Sequence, residues 1–342
     1  MNIKTFAALI KSGQLPGLLL FRRQFTFFYR LCFLASIADK AVLQQLYRGK
    51  VRVEDIPGGF AGDTGPGNAT ATWLDLAVSL GLLKKKNGKY SLRGRLVKRF
   101  AAPENDSFRA LVREVMSLHY RYLMETPEKL EAGNLWDSAG PHKEFGDVIA
   151  RSSRVLEPFL FELIDRFIPC SDSLRLLEVG CGNAGYIIYA AERHERLRAV
   201  GLELDSKVAK TARGAVAARG LQDRVTIEVA DVREYRAGAP FDILTLYNNI
   251  YYFPVEERIG LLAHLKDLLN PGGCILLTTG CMGGGIEFDL VNLIHGTTRG
   301  WGRLPYKDEM LLQLGTAGFK RNRAKSLIPG NGYYGFIGYK PL

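Results

Sequence analysis

Cysteine is scarce in this sequence, and its few positions exclude two classes of small domain. The 342 residues include five cysteines, none of them in a Cys-x-x-Cys pair: Cys32, Cys170, Cys181, Cys274 and Cys281. An odd number of widely spaced cysteines argues against a disulfide framework and against a zinc knuckle. The histidines show no ligand spacing either, so the sequence predicts no metal site. This cysteine usage fits a reducing compartment, and we expect the protein in the cytoplasm.

Long hydrophobic runs are also missing. The two longest candidates, residues 15–21 and 25–38, are short or interrupted by arginines such as Arg30. A membrane-spanning helix needs about 20 consecutive apolar residues, so we expect neither a membrane span nor a signal peptide. With 37 glycines and 14 prolines, the composition is close to average, which excludes collagen-like and disordered chains. The length suffices for two ordinary domains, each with its own core.

Acidic residues are fewer than basic ones, and the excess of basic residues is uneven. The chain has 46 Lys and Arg against 35 Asp and Glu, a net charge of +11. The segment from Gly81 to Phe100 contains many basic residues and no acidic one. Within it, Asn87-Gly88 separates two short strand-like runs, and Asn-Gly is the pair that a type I′ hairpin requires. A helix at about residues 69–80 precedes the hairpin, so residues 1–100 are predicted to form a winged-helix domain.

A basic winged helix could bind the phosphates of DNA, which leaves a transcription regulator or a nucleic-acid methyltransferase as an alternative function. The helix before the hairpin would be the recognition helix. It has no Arg, Lys, Gln or Asn after Asn68, and it contains Asp75. Reading bases in the major groove needs such side chains, so we expect the partner not to be nucleic acid.

An earlier helix is rich in aromatic residues. Phe25, Phe28, Tyr29, Cys32 and Phe33 recur at the spacing of one helix face, and other faces are apolar as well. Such a helix either lies at the centre of a core or is buried against a second copy of the chain. We predict a homodimer formed through this domain.

The second half of the chain has a different pattern. Helical stretches over residues 101–170, which we predict to form a linker region, give way near residues 169–173 to alternating strands and helices. Over residues 171–342 apolar runs of strand length recur: Leu174–Val179, Ala199–Leu204, Val225–Val229, Phe241–Leu246 and Cys274–Thr279. Parallel sheets covered on both faces produce this pattern. The predicted fold class is α/β, a Rossmann-like domain preceded by a mainly helical winged-helix domain.

A glycine-rich turn follows the first strand of this domain. In Glu178-Val-Gly-Cys-Gly-Asn-Ala-Gly, the first two glycines allow a sharp turn close to a ligand, and Gly185 allows tight helix packing. Glu203 ends the second strand and Asp231 follows the third. An acid at the end of the second strand is placed to accept hydrogen bonds from ribose hydroxyls. These features predict a nucleoside-containing cofactor.

The motifs together resemble those of class I S-adenosylmethionine-dependent methyltransferases. The resemblance covers about residues 174–342 and rests on five motifs in order: the glycine turn, Gly201-Leu-Glu-Leu-Asp, Val229-Ala-Asp-Val, Leu269-Asn-Pro-Gly-Gly and Leu314-Gly-Thr-Ala-Gly-Phe. It implies a seven-stranded domain that binds S-adenosyl-L-methionine. With the winged helix, it is similar to the small-molecule O-methyltransferases, enzymes that dimerise through that domain.

The resemblance also implies which residues bind the cofactor. Glu178 and the turn at Gly180, Gly182 and Gly185 would face its amino acid part. Glu203 would hold the ribose, with Asp205 as a second candidate, and the adenine would be held by Asp231 and Val232.

The catalytic residues depart from the family pattern. Many members have a catalytic histidine shortly after the fourth strand, where this chain has Asn248-Asn-Ile-Tyr-Tyr-Phe. Methyl transfer from a sulfonium needs positioning above all, so a hydrogen-bonding pair such as Asn249 and Tyr252 is one candidate. The other is a general base, His295, in the segment after the fifth strand.

The acceptor is predicted to be a small aromatic or keto-acid metabolite, methylated on oxygen or carbon, as in secondary metabolism. The expected acceptor-binding residues come from the segments after the fourth and fifth strands: Asn248, Tyr251, Asn292, Arg299 and Trp301. Arg299 is a candidate for binding a carboxylate. A third alternative is an enzyme of this fold that binds the cofactor without transferring methyl groups.

Overall fold

A computed structural model describes residues 3–56, 69–138, 140–168 and 173–342. The glycine-rich segment at residues 58–67 and Cys170 lie outside the described residues. The chain forms two compact units. The helical unit comprises Met1–Arg121 and Phe145–Val155, and the sheet unit comprises Tyr122–Glu144 and Leu156–Leu342.

Up to residue 168 the structure is almost entirely helical. One π-helical turn, Val115–His119, follows the sixth helix. The helices are α1 (Ile3–Lys11), α2 (Gln14–Ile37), α3 (Ala41–Arg48), α4 (Ala69–Ser79), α5 (Gly94–Ala101), α6 (Asp106–Glu114), α7 (Tyr120–Glu131), α8 (Pro141–Glu144), α9 (Gly146–Ser152) and α10 (Glu157–Phe167).

The predicted hairpin is confirmed. Strands β1 (Leu83–Lys86) and β2 (Lys89–Leu92) pair antiparallel with Lys86 opposite Lys89, so that Asn87-Gly88 forms a two-residue turn. Both turn residues have positive φ, 51° and 72°, as a type I′ turn demands. The hairpin follows α3 and α4 in the order found in a winged helix.

The aromatic helix α2 is buried only near its C-terminal end. Phe33 and Ile37 belong to the core of the helical unit, where Phe33 stacks on Trp73 with ring centroids 4.7 Å apart. The preceding part exposes apolar side chains on every face of the helix: Leu18, Leu19, Leu20, Phe21, Phe25, Phe27, Phe28 and Tyr29. A central core helix is therefore the wrong interpretation for this part of α2.

Residues 173–342 form one mixed sheet with helices on both faces. The strands are β3 (Arg175–Val179), β4 (Arg198–Glu203), β5 (Val225–Val229), β6 (Phe241–Tyr247), β7 (Leu269–Gly280), β8 (Lys320–Ser326) and β9 (Tyr333–Tyr339). The helices are α11 (Gly185–Arg193), α12 (Ser206–Ala218), α13 (Arg258–Asp267), α14 (Ile286–Gly296) and α15 (Lys307–Thr316).

The strand order is β5-β4-β3-β6-β7-β9-β8. The first five strands of this order pair in parallel, and β9 pairs antiparallel with both β7 and β8. The apolar runs of β3, β6 and β7 are buried because helices cover both faces. The order reverses at β3, so the carboxyl ends of β3, β4, β5 and β6 meet at the edge where ligands bind in such sheets. The predicted seven-stranded fold is confirmed.

Two segments lie elsewhere than their sequence patterns indicate. The Asn270-Pro-Gly-Gly part of the fourth motif, whose residue types are typical of a turn, lies within β7, where the pairing with β6 skips from Leu269 to Cys274. The predicted helical linker over residues 101–170 is divided between the two units. One reason is that Arg151 of α9 forms an ion pair with Asp106 of α6, whereas Trp136 forms a bridge with Thr298 in the sheet unit.

Candidate active site

The turn after β3 has a backbone that favours glycine. Gly180 and Gly182 have φ values of 63° and 54°, and Ala184 has 65°. A Cβ at Gly180 would lie 2.7 Å from the side-chain nitrogen of Asn249, whereas one at Gly182 would meet nothing within 4 Å. Gly185 then begins α11. The turn therefore brings its backbone against the residues that follow β6.

Glu203, at the end of β4, binds this turn. One carboxylate oxygen accepts a hydrogen bond from the backbone nitrogen of Gly182 at 3.0 Å, and the other accepts from that of Asp205 at 3.0 Å. Asp205, the second candidate for the ribose, instead caps α12 by accepting from the backbone nitrogens of Lys207 and Val208. Those two bonds lower the pKa of the Asp205 carboxyl group. The carboxylate of Asp205 therefore serves as the N-terminal cap of α12. Glu203 is the acidic residue that contacts the glycine turn.

Asp231, after β5, is held by a neighbour that the sequence did not single out. Both of its oxygens accept hydrogen bonds from the guanidinium of Arg233, the shortest at 2.6 Å. This hydrogen bonding lowers the pKa of Asp231. Val232 between them is buried in the core of the sheet unit. An arginine two residues from an acid is a weak sequence signal, because many such pairs are independent surface charges.

Glu178 is a carboxyl group inside the sheet. Its side chain is 2% exposed, and burial raises its pKa to about 8. Its charge also raises the pKa of the buried Tyr247, although desolvation is the larger cause. Tyr186 packs edge-on against Tyr247 with ring centroids 5.3 Å apart. Neither tyrosine was singled out from the sequence, because a single apolar-looking position on a strand or helix does not reveal which buried acid it will meet.

Asn248 and Asn249 turn the chain at the end of β6. Asn248 has a positive φ of 54° and donates its backbone N–H to the carbonyl of Thr278 at 2.9 Å. Asn249 is buried, and its Nδ2 donates to the carbonyl of Val179 at 2.5 Å. Its Oδ1 is enclosed and has no hydrogen-bond partner within the described chain. The amide of Asn249 therefore faces the glycine turn.

Four aromatic rings form a cluster next to this turn, which we call the aromatic wall. Tyr251 and Tyr252 pack against His295 with ring centroids 4.4 and 5.4 Å away. Trp301 lies 5.0 Å from His295 and 4.9 Å from Tyr252. The structure thus brings together four residues that were predicted from two separate segments.

The imidazole of His295 is oriented by its own helix. His295 lies in the last turn of α14, is 4% exposed, and its Nδ1 is 2.8 Å from the carbonyl of Val291. A carbonyl only accepts, so Nδ1 carries the proton of the neutral ring and Nε2 carries the lone pair. The side of His295 that can accept a proton is thereby defined.

Two predicted acceptor residues have other contacts. Asn292 accepts a hydrogen bond from the backbone nitrogen of Leu304 at 3.0 Å, which holds the segment after Trp301. Arg299 is exposed, and its backbone nitrogen donates to the carbonyl of Trp136 at 2.9 Å. Neither contact brings its side chain to the aromatic wall.

Arg258 is a residue of this region that the sequence did not mark. It begins α13, is fully buried, and its guanidinium donates to the backbone carbonyls of Phe253 and Arg303. Desolvation lowers its pKa to about 10. An arginine at a helix start normally indicates a surface position, so its burial could not be expected from the pattern.

Metal ions need clusters of ligating side chains, and membrane spans need long apolar helices. The described ranges contain no group of three or more His, Cys, Asp and Glu side chains placed to hold a metal ion. No helix in them combines the length and the apolar character needed to cross a membrane.

Part of the sheet unit matches a known family model. Residues 176–273 match a model described as a methyltransferase domain. A curated relative, the 2-heptyl-1-hydroxyquinolin-4(1H)-one methyltransferase of Mycobacteroides abscessus, is 31% identical over 156 residues, which are 44% of this chain and 58% of that protein. Five curated relatives, this one included, are matched over 23% to 58% of their own length.

Solved structures share the fold over nearly the whole chain. The mitomycin 7-O-methyltransferase MmcR aligns with a TM-score of 0.74 at 14% identity and covers 98% of this chain and 100% of its own. Human N-acetylserotonin methyltransferase, solved in complex with S-adenosylmethionine, aligns with a TM-score of 0.67 at 17% identity and covers 96% and 98%. At these identities the likeness shows the fold, which is that of the predicted family.

Proposed function

We propose that this chain is an S-adenosylmethionine-dependent methyltransferase that acts on a small aromatic acceptor. One observation carries the proposal: the glycine turn bound by Glu203 lies directly against Asn249, and two residues later the chain enters the aromatic wall. A cofactor-binding turn and a ring-lined surface thus adjoin at one edge of the sheet. The match to a methyltransferase domain supports the same conclusion.

The residues at the sheet edge fit the cofactor. Each Glu203 oxygen accepts one backbone hydrogen bond and so keeps capacity for a ribose hydroxyl. The enclosed Oδ1 of Asn249 is an acceptor suited to an ammonium group. The carbonyl oxygen of the buried Glu178 carboxyl, whose pKa is raised to about 8, is a second acceptor. Positive φ at Gly180 and Gly182 leaves the backbone open to close approach. When bound, S-adenosylmethionine supplies a methyl group on a positively charged sulfur that is an excellent leaving group.

The aromatic wall positions the acceptor. Tyr252, His295 and Trp301 contact one another, so their rings are fixed before an acceptor arrives. Flat rings bind aromatic molecules by offset stacking and edge contacts at small entropic cost. Fixing two reactants in line contributes on the order of 7 to 11 kcal/mol in favourable intramolecular models. Positioning therefore accounts for most of the proposed catalysis.

His295 is the proposed proton acceptor. Its Nδ1–H donates to Val291, which leaves Nε2 as the basic atom of a ring that lies within the wall. Nε2 is enclosed in this structure, and a phenolic or enolic hydroxyl admitted next to it would lose its proton as its oxygen attacks the methyl group. General base catalysis of this kind contributes about 10²- to 10⁴-fold. The two tyrosines can hydrogen-bond the acceptor without accepting a proton at neutral pH.

Two further features belong to the proposal. The exposed apolar part of α2 is suited to burial against a second copy of the chain, which supports a homodimer. The four described cysteines, Cys32, Cys181, Cys274 and Cys281, are free thiols, which agrees with a cytoplasmic enzyme.

Binding and transfer assays test the function. Calorimetry with S-adenosylhomocysteine should show binding that Glu203→Ala weakens at least tenfold and that Glu228→Ala, on neighbouring β5, leaves unchanged. Radiolabelled methyl transfer should be tested on a panel of hydroxylated aromatics that includes 2-heptyl-1-hydroxyquinolin-4(1H)-one, the compound in the relative's name. A chain that binds no S-adenosylhomocysteine, or that binds duplex DNA in its place at physiological salt, would refute the proposal.

A further inference from the structure

Arg258 is a buried charge whose hydrogen bonds go to backbone carbonyls. No part of its side chain is exposed. Its Nε donates to the carbonyl of Phe253 at 3.1 Å, and its Nη2 donates to that of Arg303 at 2.5 Å. Its Nη1 is enclosed and has no hydrogen-bond partner among the residues that the structure describes. The guanidinium therefore joins two segments that are 50 residues apart in the chain.

The described chain provides no salt-bridge partner for this charge. Glu309, the carboxylate with the largest effect on Arg258, is bound at 2.8 and 2.9 Å by both terminal nitrogens of Arg303. A buried charge without a counter-ion is unfavourable for stability. A stabilising ion pair therefore does not explain the burial of this guanidinium. Its role follows from its hydrogen bonds to the two backbone carbonyls.

The two segments that Arg258 joins are the two halves of the aromatic wall. Phe253 directly follows Tyr251 and Tyr252, and Arg303 comes two residues after Trp301. Between them Gly302 donates its backbone N–H to the carbonyl of Tyr251 at 3.0 Å. A Cβ at Gly302 would lie 2.4 Å from the carbonyl oxygen of Phe253 and 2.5 Å from Nη2 of Arg258. The segments are thus pressed together, with Arg258 bonded to both.

We propose that Arg258 is a positioning residue that sets the distance between Trp301 and Tyr252 and so shapes the acceptor site. It acts through the carbonyls of Phe253 and Arg303, since its own atoms are enclosed. The effect of Arg258 on catalysis rests on the proposed methyltransferase function. The effect of Arg258 on the position of Trp301 does not depend on that function.

Fluorine NMR tests the effect on Trp301 without any activity. The chain has three tryptophans, so protein labelled with 5-fluorotryptophan gives three resonances, and Trp301→Phe identifies that of Trp301. In Arg258→Met the Trp301 resonance should shift and broaden, while that of Trp73 in the helical unit stays in place. Added guanidinium chloride at concentrations below the unfolding transition should restore the Trp301 resonance. An unmoved Trp301 resonance in folded Arg258→Met would overturn the inference.

Arg109→Met is the matched control. Arg109 is also buried and also donates to backbone carbonyls, those of Phe100, Ala102 and Pro103, but it lies in the helical unit. The Arg109→Met substitution should lower the free energy of unfolding and leave the Trp301 resonance unchanged. Should Arg258→Met fail to fold, Arg258→Lys serves instead, because one ammonium group keeps the charge but replaces the planar fork. The Trp301 resonance should then shift in the same direction and respond less to guanidinium.

Kinetics connect the positioning to the proposed reaction. With an acceptor from the panel, Arg258→Lys should raise the acceptor KM or lower kcat by about tenfold to a hundredfold, as small misplacements do. The dissociation constant of S-adenosylhomocysteine should stay within about twofold, because the glycine turn and Glu203 do not contact Arg258. If wild-type protein binds no S-adenosylhomocysteine, the proposed function fails while the Trp301 measurement still decides the role of Arg258. A normal acceptor KM and kcat in folded Arg258→Lys, with active wild type, would contradict the catalytic role alone.

Discussion

The position of a Cβ at Gly180 is 2.7 Å from Nδ2 of Asn249, closer than two such atoms can approach. The hydrogen bond from Asn249 to the carbonyl of Val179, next to the glycine, joins the end of β6 to the end of β3. A residue without a side chain at position 180 leaves room for this amide. A substitution at either residue therefore disturbs both the cofactor turn and the entry to the aromatic wall.

Gly180→Ala should impair cofactor binding. The new methyl group must displace Asn249, and alanine is strained at a φ of 63°. We expect the affinity for S-adenosylhomocysteine to fall by at least about tenfold, equivalent to about 1.4 kcal/mol. Calorimetry measures it. The control is Gly214→Ala in α12, where a Cβ meets nothing within 4 Å and the helix should gain up to about 1 kcal/mol. Equal affinities in the two variants would contradict this account of the turn.

Glu178→Gln should alter the dependence of stability on pH. The raised pKa means that the folded state keeps a proton that the unfolded state releases above pH 4.5, so wild-type stability falls as pH rises from about 4.5 to about 8. The difference between the folded and unfolded pKa values corresponds to a loss of about 5 kcal/mol in the free energy of unfolding at alkaline pH. Glutamine does not titrate, so urea unfolding of the variant should show a flatter profile over this range.

Asp205→Asn is the control of opposite sign for that experiment. The helix cap lowers the pKa of Asp205, so its contribution is present above its unfolded pKa and is lost as pH falls through its folded pKa. The difference between wild type and this variant should therefore change only at acidic pH. A Glu178→Gln profile parallel to that of wild type would show that the carboxyl is ionised at neutral pH.

His295→Gln should remove the acidic limb of the rate profile. An imidazole that is already protonated cannot accept a further proton. Wild-type kcat/KM should therefore fall at acidic pH. The variant should be slower by about 10²- to 10⁴-fold with a flat profile in this region. His264→Gln in α13 provides the matched control and should keep the wild-type limb. If His295→Gln retains both the rate and the limb, positioning by the other rings is sufficient.

Charged substitutions on the exposed part of α2 should dissociate the proposed dimer. Leu19 and Phe27 are 64% and 63% exposed in the single chain. In Leu19→Glu and Phe27→Glu, sedimentation equilibrium should show a dimer dissociation constant raised by about tenfold or more, since each apolar anchor contributes over about 1 kcal/mol. Leu96→Glu, at a residue of α5 that is 70% exposed, should leave the constant unchanged. A wild-type chain that sediments as a monomer would refute the dimer itself.

Features of this fold that depend on local sequence patterns could be predicted from the sequence. Features that depend on contacts between distant residues became known only from the structure. The hairpin at Asn87-Gly88 and the glycine turn were predictable because each is determined by the backbone preferences of a few neighbouring residues. The roles of Asp205 and Asn292 were less predictable, because an acid or amide at a strand or helix end can bind a ligand or the nearby backbone. The role of Arg258 could not be predicted for a third reason. Its burial depends on where residues 301–303 pack against it, and no local sequence pattern indicates that packing.

The last strand in the sequence, β9, is an interior strand of the sheet, with β7 on one side and β8 on the other. On the ribosome, β8 is therefore made before the strand that will connect it to the rest of the sheet. The sheet closes only after Tyr339 has left the exit tunnel, so β8 cannot join the rest of the sheet until β9 is available. Nascent chains that stop at residue 330 should expose the open edge of β7 and engage chaperones, whereas loss of the edge strand β5 would leave the pairing of β7 with β9 intact.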